Sequence, residues 1–208
     1  MKQLLQFAIG LSLLVSLPVL AMGDADAGQG KAAVCAACHG MDGNSVVPNW
    51  PKIAGQHASY LERQLALVKD GARPVPEMAG IVISLTDQDM ADLAAYFSSQ
   101  TASAGLTDET LRASGEQLYR GGNAETDIPA CISCHGPAGE GNPLAGYPSL
   151  AGQHSVYSEK MLTGFRAGTT WGAEDASSKI MTDVSHRLTD AEIKAVASYI
   201  QGLHSVKE

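Results

Sequence analysis

The chain has 208 residues, with 14 lysines and arginines against 22 aspartates and glutamates, and a formal net charge of −8 at pH 7. That acidity excludes a nucleic-acid binder, because a phosphate backbone is held by a surplus of basic side chains. Aromatic residues are only 5% and glycine numbers 22, so a small domain built from this sequence fills its core poorly with its own side chains and has room for a bulky bound group.

Taken in order, the chain opens on an export signal. Lys2 supplies the positive end, Leu4 to Leu20 is an apolar run without a charge, and Val19-Leu20-Ala21 is a small-residue cleavage site. Cleavage is expected to remove residues 1–21 and start the mature chain near Met22; retention as an anchor is the competing reading, the run being at the short edge of a membrane span. Removing 21 of 208 residues leaves 187, and losing Lys2 takes the net charge from −8 to −9. That length suits two modest domains, expected at 22–100 and 109–208.

A short helical stretch from Asp26 to Ala37 leads into Cys35-Ala36-Ala37-Cys38-His39. A second helix is expected after Gly55-Gln56-His57, through Tyr60, Leu61, Gln64, Leu65 and Val68. Thr86-Asp87-Gln88-Asp89 is a capping box, and behind it Met90, Leu93, Ala94 and Phe97 recur at helical spacing. Ser98 to Gly105 is small, polar and uncharged, which puts a linker at 101–108. The second half then follows the first: a helical stretch from Thr107 to Tyr119, Cys131-Ile132-Ser133-Cys134-His135, a helix through Tyr157, Met161, Leu162 and Phe165, and a capping box at Thr189-Asp190-Ala191-Glu192 ahead of Ile193, Val196, Ala197 and Ile200. No run alternates as a strand would, so the fold class is all-α.

The register of this duplication is explicit. Cys35 returns at Cys131 after 96 residues, Gln56-His57 at Gln153-His154 after 97, and Leu85-Thr86-Asp87 at Leu188-Thr189-Asp190 after 103. The growing shift marks small insertions in the second copy. Two copies make a duplicated domain rather than a solenoid.

Each Cys-x-x-Cys-His string is the attachment signature of c-type haem. Two thiols at that spacing add to the two vinyl groups of the porphyrin as thioethers, and the next histidine is set under the ring to ligate iron. Cys35, Cys38, Cys131 and Cys134 are all four cysteines of the chain, so no thiol remains for a disulfide framework. A thioredoxin-like dithiol would need a βαβ unit, which the sequence lacks. A zinc site would draw both strings together, whereas the duplication gives each its own domain. Two covalent haem c groups are therefore expected, with much of each core made of cofactor and a poorly folded haem-free chain.

His39 and His135 leave the sixth position of each iron to be filled. Met41 is too near His39 to reach the other face; Met90 and Met161 align with Ile193 and Gln64. Only Met78 and Met181 are paired, each seven residues before Leu-Thr-Asp, in segments read as loops. His/Met ligation closes both irons to substrate and suits electron transfer. The alternative ligands are His57 and His154, read instead as structural or as propionate donors. Pro51 and Pro148 are placed to offer a carbonyl to Nδ1 of the proximal histidines. His186 and His204 are read as surface residues, and Trp50 and Trp171 as packing.

The two Cys-x-x-Cys-His-Gly strings, the segments at 51–57 and 148–154, and the Met-x6-Leu-Thr-Asp segments at 78–87 and 181–190 together resemble the dihaem cytochrome c4 family, over essentially the whole mature chain. The resemblance implies two class I cytochrome c domains related by a pseudo-twofold, with haem propionates facing across the interface. It also implies a periplasmic, monomeric electron carrier between a quinol-oxidising complex, such as a quinol-cytochrome c reductase, and a terminal oxidase or other acceptor, with loose membrane association. The first domain departs from the family's pattern in reading Val75-Pro76-Glu77-Met78, where relatives carry consecutive methionines. The rival classes are a dihaem peroxidase or sulfur-compound dehydrogenase, and an electron-accepting subunit of a larger dehydrogenase.

Overall fold

The structure, a computed structural model, describes residues 23–173 and 175–204. The export signal expected at 1–21 lies outside the described residues, among which no helix is long and apolar enough to cross a membrane.

In the first half, α1 (Ala25–Lys31) starts where the Asp24 carboxylate accepts from the Asp26 and Ala27 amides. It ends at Ala32, whose amide bonds back only three residues, to the Gln29 carbonyl. The single helix expected over 26–37 is thus two, and α2 (Ala33–His39) carries Cys35, Cys38 and His39. Then come α3 (Ala58–Lys69), α4 (Pro76–Val82) and α5 (Asp87–Ser99). The second half repeats the series as α6 (Glu109–Gly121), α7 (Ile132–His135), α8 (Ser155–Arg166), α9 (Ala176–Ser185) and α10 (Asp190–Gly202). Among the described residues there is no strand, only isolated bridges at Asn123 with Ile128 and Asn142 with Tyr147, both in the copy expected to carry insertions.

Each half is held by the same crossing of its first and last helices, α1 on α5 and α6 on α10, with α3 and α8 packed on the last helix of their own half. Both capping boxes form: the Thr86 and Thr189 hydroxyls accept from the Asp89 and Glu192 amides, and those carboxylates accept the threonine amides in return. Behind them the expected stripes are buried, Leu93, Ala94 and Phe97 in one core and Ile193, Val196 and Ile200 in the other. Met90 is 4% exposed, as a packing methionine should be, and Met41 is 63% exposed. Cys35 packs at the edge of the first cluster and Cys131 at the edge of the second.

The halves are bonded reciprocally. The Gln56 amide donates to the Ser149 carbonyl and accepts from its N–H (2.8 and 2.9 Å), and the Gln153 amide does the same to Lys52 (2.8 and 2.9 Å). Arg73 adds a second bridge, donating to Gln64 Oε1 (2.6 Å) and Tyr157 Oη (2.8 Å) while its guanidinium sits 4.5 Å from the centre of the Trp171 ring. Trp171 is therefore more than local packing: it is a buried cation–π partner for the other half. Arg63 and Asp175 form a further ion pair at 3.0 Å.

Segment 101–107 has no helix, yet it is tied down on both sides. Asn44 donates to the Thr101 carbonyl and accepts from the Ser103 amide; Lys52 Nζ donates to the Ser103 carbonyl. From the second half, Gln201 accepts the Gly105 amide on its backbone and donates its side-chain amide to Leu106.

Candidate functional site

One helical turn positions each set of donors. Cys35, Cys38 and His39 lie along α2, which stops at Gly40 with φ 79°, a left-handed conformation that glycine adopts without strain. Cys131 precedes α7, which carries Cys134 and His135 and stops in the same way at Gly136 (φ 76°). All four thiols are unbridged and half-buried. Burial raises the pKa of Cys35, and pushes that of Cys131 up to about 11, so both are protonated thiols at neutral pH.

His39 and His135 are both buried, and Nδ1 of each is spoken for: His39 bonds the Pro51 carbonyl at 2.8 Å and His135 the Pro148 carbonyl at 3.0 Å. A carbonyl only accepts, so Nδ1 carries the proton and the lone pair is on Nε2. Burial lowers the pKa of both rings, opposed by the bonds to proline. Each is thus a neutral imidazole with a fixed tautomer, the form that ligates metal.

Two buried tyrosines that sequence reasoning missed clamp the backbone after these strings. Tyr96 Oη donates to the Met41 carbonyl (2.9 Å), and Tyr119 Oη to the Gly136 carbonyl (2.7 Å). The first comes from the last helix of its half and the second from the first helix, so comparing the two copies in register does not reveal the shared role.

Met78 and Met181 differ from expectation in local structure: they sit on α4 and α9, not in loops. Pro76 opens α4 at its first turn, where its preset φ is compatible with the helix and its missing N–H is no loss; the Asp175 carboxylate caps α9 by accepting the Ser178 amide. Both methionines are half-buried, on helices packed against α3 and α8. His57 and His154 hold equivalent N-cap positions of α3 and α8, but their rings differ. His154 Nε2 is 2.7 Å from the Ser45 carbonyl of the other half, which commits that nitrogen to a bond across the interface. His57 Nε2 is buried without a partner, as is Gln64 Nε2. His186 and His204 are exposed.

The residues fit a covalently attached haem. Free thiols three apart and an adjoining imidazole with Nε2 available are the donor set it needs, and orphaned polar atoms at His57 and Gln64 suit a group bearing carboxylates. Among the described residues no three of His, Cys, Asp and Glu cluster to hold a metal ion, so a zinc site shared between the strings has no donor set.

Comparison with known proteins agrees with this geometry. The Cytochrome c family model matches residues 25–101 and again 113–204. Cytochrome c4 of Pseudomonas aeruginosa is 53% identical over 184 residues, covering 88% of this chain and 90% of that protein; cytochrome c4 of Stutzerimonas stutzeri is 50% identical over 206 residues, covering 93% and 97%. The crystal structure of reduced recombinant cytochrome c4 from Pseudomonas stutzeri superposes with a TM-score of 0.83 at 51% identity, over 88% of this chain and all of that one. Two separate matches to the family, in a chain whose halves repeat the same donors, mean that the chain belongs to the cytochrome c4 family and is an electron-transfer protein with two covalently bound haem c groups.

Proposed function

We propose that the chain is an exported, periplasmic electron carrier in which Cys35, Cys38, Cys131 and Cys134 form the thioethers, and His39 with Met78, and His135 with Met181, are the axial pairs. The observation that carries this reading is the duplicate commitment of histidine Nδ1 to a proline carbonyl, which presents Nε2 beside two free thiols in each half. The haem supplies the one-electron couple. The protein supplies a neutral imidazole held by Pro51 or Pro148 and a thioether donor on a short helix. With a histidine and a methionine as its ligands the iron would keep no position for substrate, which favours a carrier over a peroxidase or sulfur-compound dehydrogenase. The acidic surface suits basic docking patches on a quinol-cytochrome c reductase as donor and a terminal oxidase or other periplasmic acceptor. The carrier acts as a monomer with loose membrane association.

The test is the optical spectrum of the exported holoprotein with a haem count per chain. Two covalent haems, a full-strength long-wavelength sulfur-to-iron band in the oxidised form and no reaction with peroxide are expected. A high-spin signal, or half the band, overturns the matched His/Met assignment.

A further inference from the structure

Gln56 and Gln153 do more than bond the halves together: each addresses the peptide group that holds the other half's proximal histidine. Pro51 C=O and Lys52 N–H belong to one peptide unit. Its oxygen accepts from His39 Nδ1 at 2.8 Å, and its N–H donates to Gln153 Oε1 at 2.9 Å. The mirror unit joins Pro148 C=O, bonded to His135 Nδ1 at 3.0 Å, with Ser149 N–H, bonded to Gln56 Oε1 at 2.9 Å.

Each glutamine is fixed in its place. Gln56 Oε1 also accepts the His57 amide and Gln153 Oε1 the His154 amide, both at 3.0 Å. The glycines before them turn the chain at φ 67° and 72°, and their amides are tied to the Phe97 and Ile200 carbonyls of the last helices. The second bond of each amide, from Nε2 to the carbonyl of Lys52 or Ser149 at 2.8 Å, sets its plane.

A peptide whose N–H is hydrogen-bonded is a better acceptor at its C=O, because hydrogen bonds in series polarise one another. A better acceptor draws the Nδ1 proton, makes the imidazole a stronger donor to iron, and so favours the ferric state.

We propose that Gln153 tunes the haem of the first half and Gln56 that of the second, as positioning residues acting through the Pro51–Lys52 and Pro148–Ser149 peptides. Association of the halves thereby lowers both potentials, each through a relay that starts in the other half. The inference rests on His39 and His135 being iron ligands.

The experiment compares the holoprotein with its Gln153→Leu and Gln56→Leu variants, titrating each haem separately after assigning its resonances to a half by NMR. Gln153→Leu is expected to raise the potential of the first-half haem more than the other, and Gln56→Leu to do the converse. The Nδ1 proton resonance of the affected histidine in the reduced protein should move upfield, reporting a weaker bond to proline. Should leucine prevent folding, Gln153→Asn and Gln56→Asn retract the acceptor by one methylene and carry the same expectation. Shifts confined to the substituted half, equal in both halves, or absent overturn the relay; equal shifts would mean that the interface had only loosened. A wild-type protein without two covalent haems would instead defeat the functional reading itself, a result separable from uncrossed shifts.

Discussion

Gly28 lies so close to the Asp92 carbonyl that a β-carbon on it would overlap that oxygen, and Gly115 stands in the same relation to the Ala195 carbonyl. These are the points where α1 crosses α5 and α6 crosses α10, and only a residue without a side chain allows the crossing.

Gly28→Ala and Gly115→Ala should therefore each force two helices apart, at a cost of about 1–3 kcal/mol, read as a lower thermal midpoint of the holoprotein. Gly30→Ala is the control: it is in α1 too, but a β-carbon there meets nothing within 4 Å. It should be neutral or stabilising by up to about 1 kcal/mol. Equal losses at Gly28 and Gly30 would refute the crossing argument.

Thr86→Ala and Thr189→Ala each remove one capping box from the last helix of a half. A loss of about 1 kcal/mol apiece is expected in urea titrations. Because the two caps are in separate cores, the double variant should lose the sum.

Acid should act through the Asp89 and Asp92 carboxylates, which pair with Lys31 at 2.7 Å and 2.6 Å. Asp89 is held below the ordinary carboxylate value chiefly by Lys31 and then Thr86. Asp92 is held at about 2 by the Asp24 amide first, then Lys31 and Gln88. A carboxylate with a depressed folded-state pKa stabilises the fold above its unfolded value of 3.8 and loses that contribution as pH falls toward about 2. Asp92→Asn should flatten the stability profile across that window and leave the rest of its shape unchanged; an unaltered acid limb would assign the acid sensitivity elsewhere.

Met78→Ala and Met181→Ala should each abolish half of the sulfur-to-iron band and lower the potential of one haem. An intact band in either variant would remove that methionine from its iron and send the search to the half-buried residues around it.

The Cys-x-x-Cys-His strings were legible because attachment chemistry fixes their spacing, and the paired repeat singled out Pro51 and Pro148, whose carbonyls bond His39 and His135. The last helices were legible for the same kind of reason: Thr86 and Thr189 announce them, and the apolar stripes follow. The helices under the methionines were not. Pro76 to Val82 spans seven residues containing Gly80, too few turns for a periodic stripe, and Val75 before it offers no side-chain cap. Helix α9, capped by Asp175, starts in a run of small residues that reads as loop. Tyr96 and Tyr119 escaped because their hydroxyls serve one purpose from different helices. The glutamine relays escaped because their partners, Lys52 and Ser149, contribute only backbone, and backbone leaves no signature in side-chain identity.

The hydrogen bonds along 101–107 have a hydrodynamic consequence. Asn44 and Lys52 grip the segment from one half and Gln201 from the other, so the connector is a strap rather than a tether. The protein should tumble in solution with one rotational correlation time for both halves, and a protease should find no slack stretch in which to separate them.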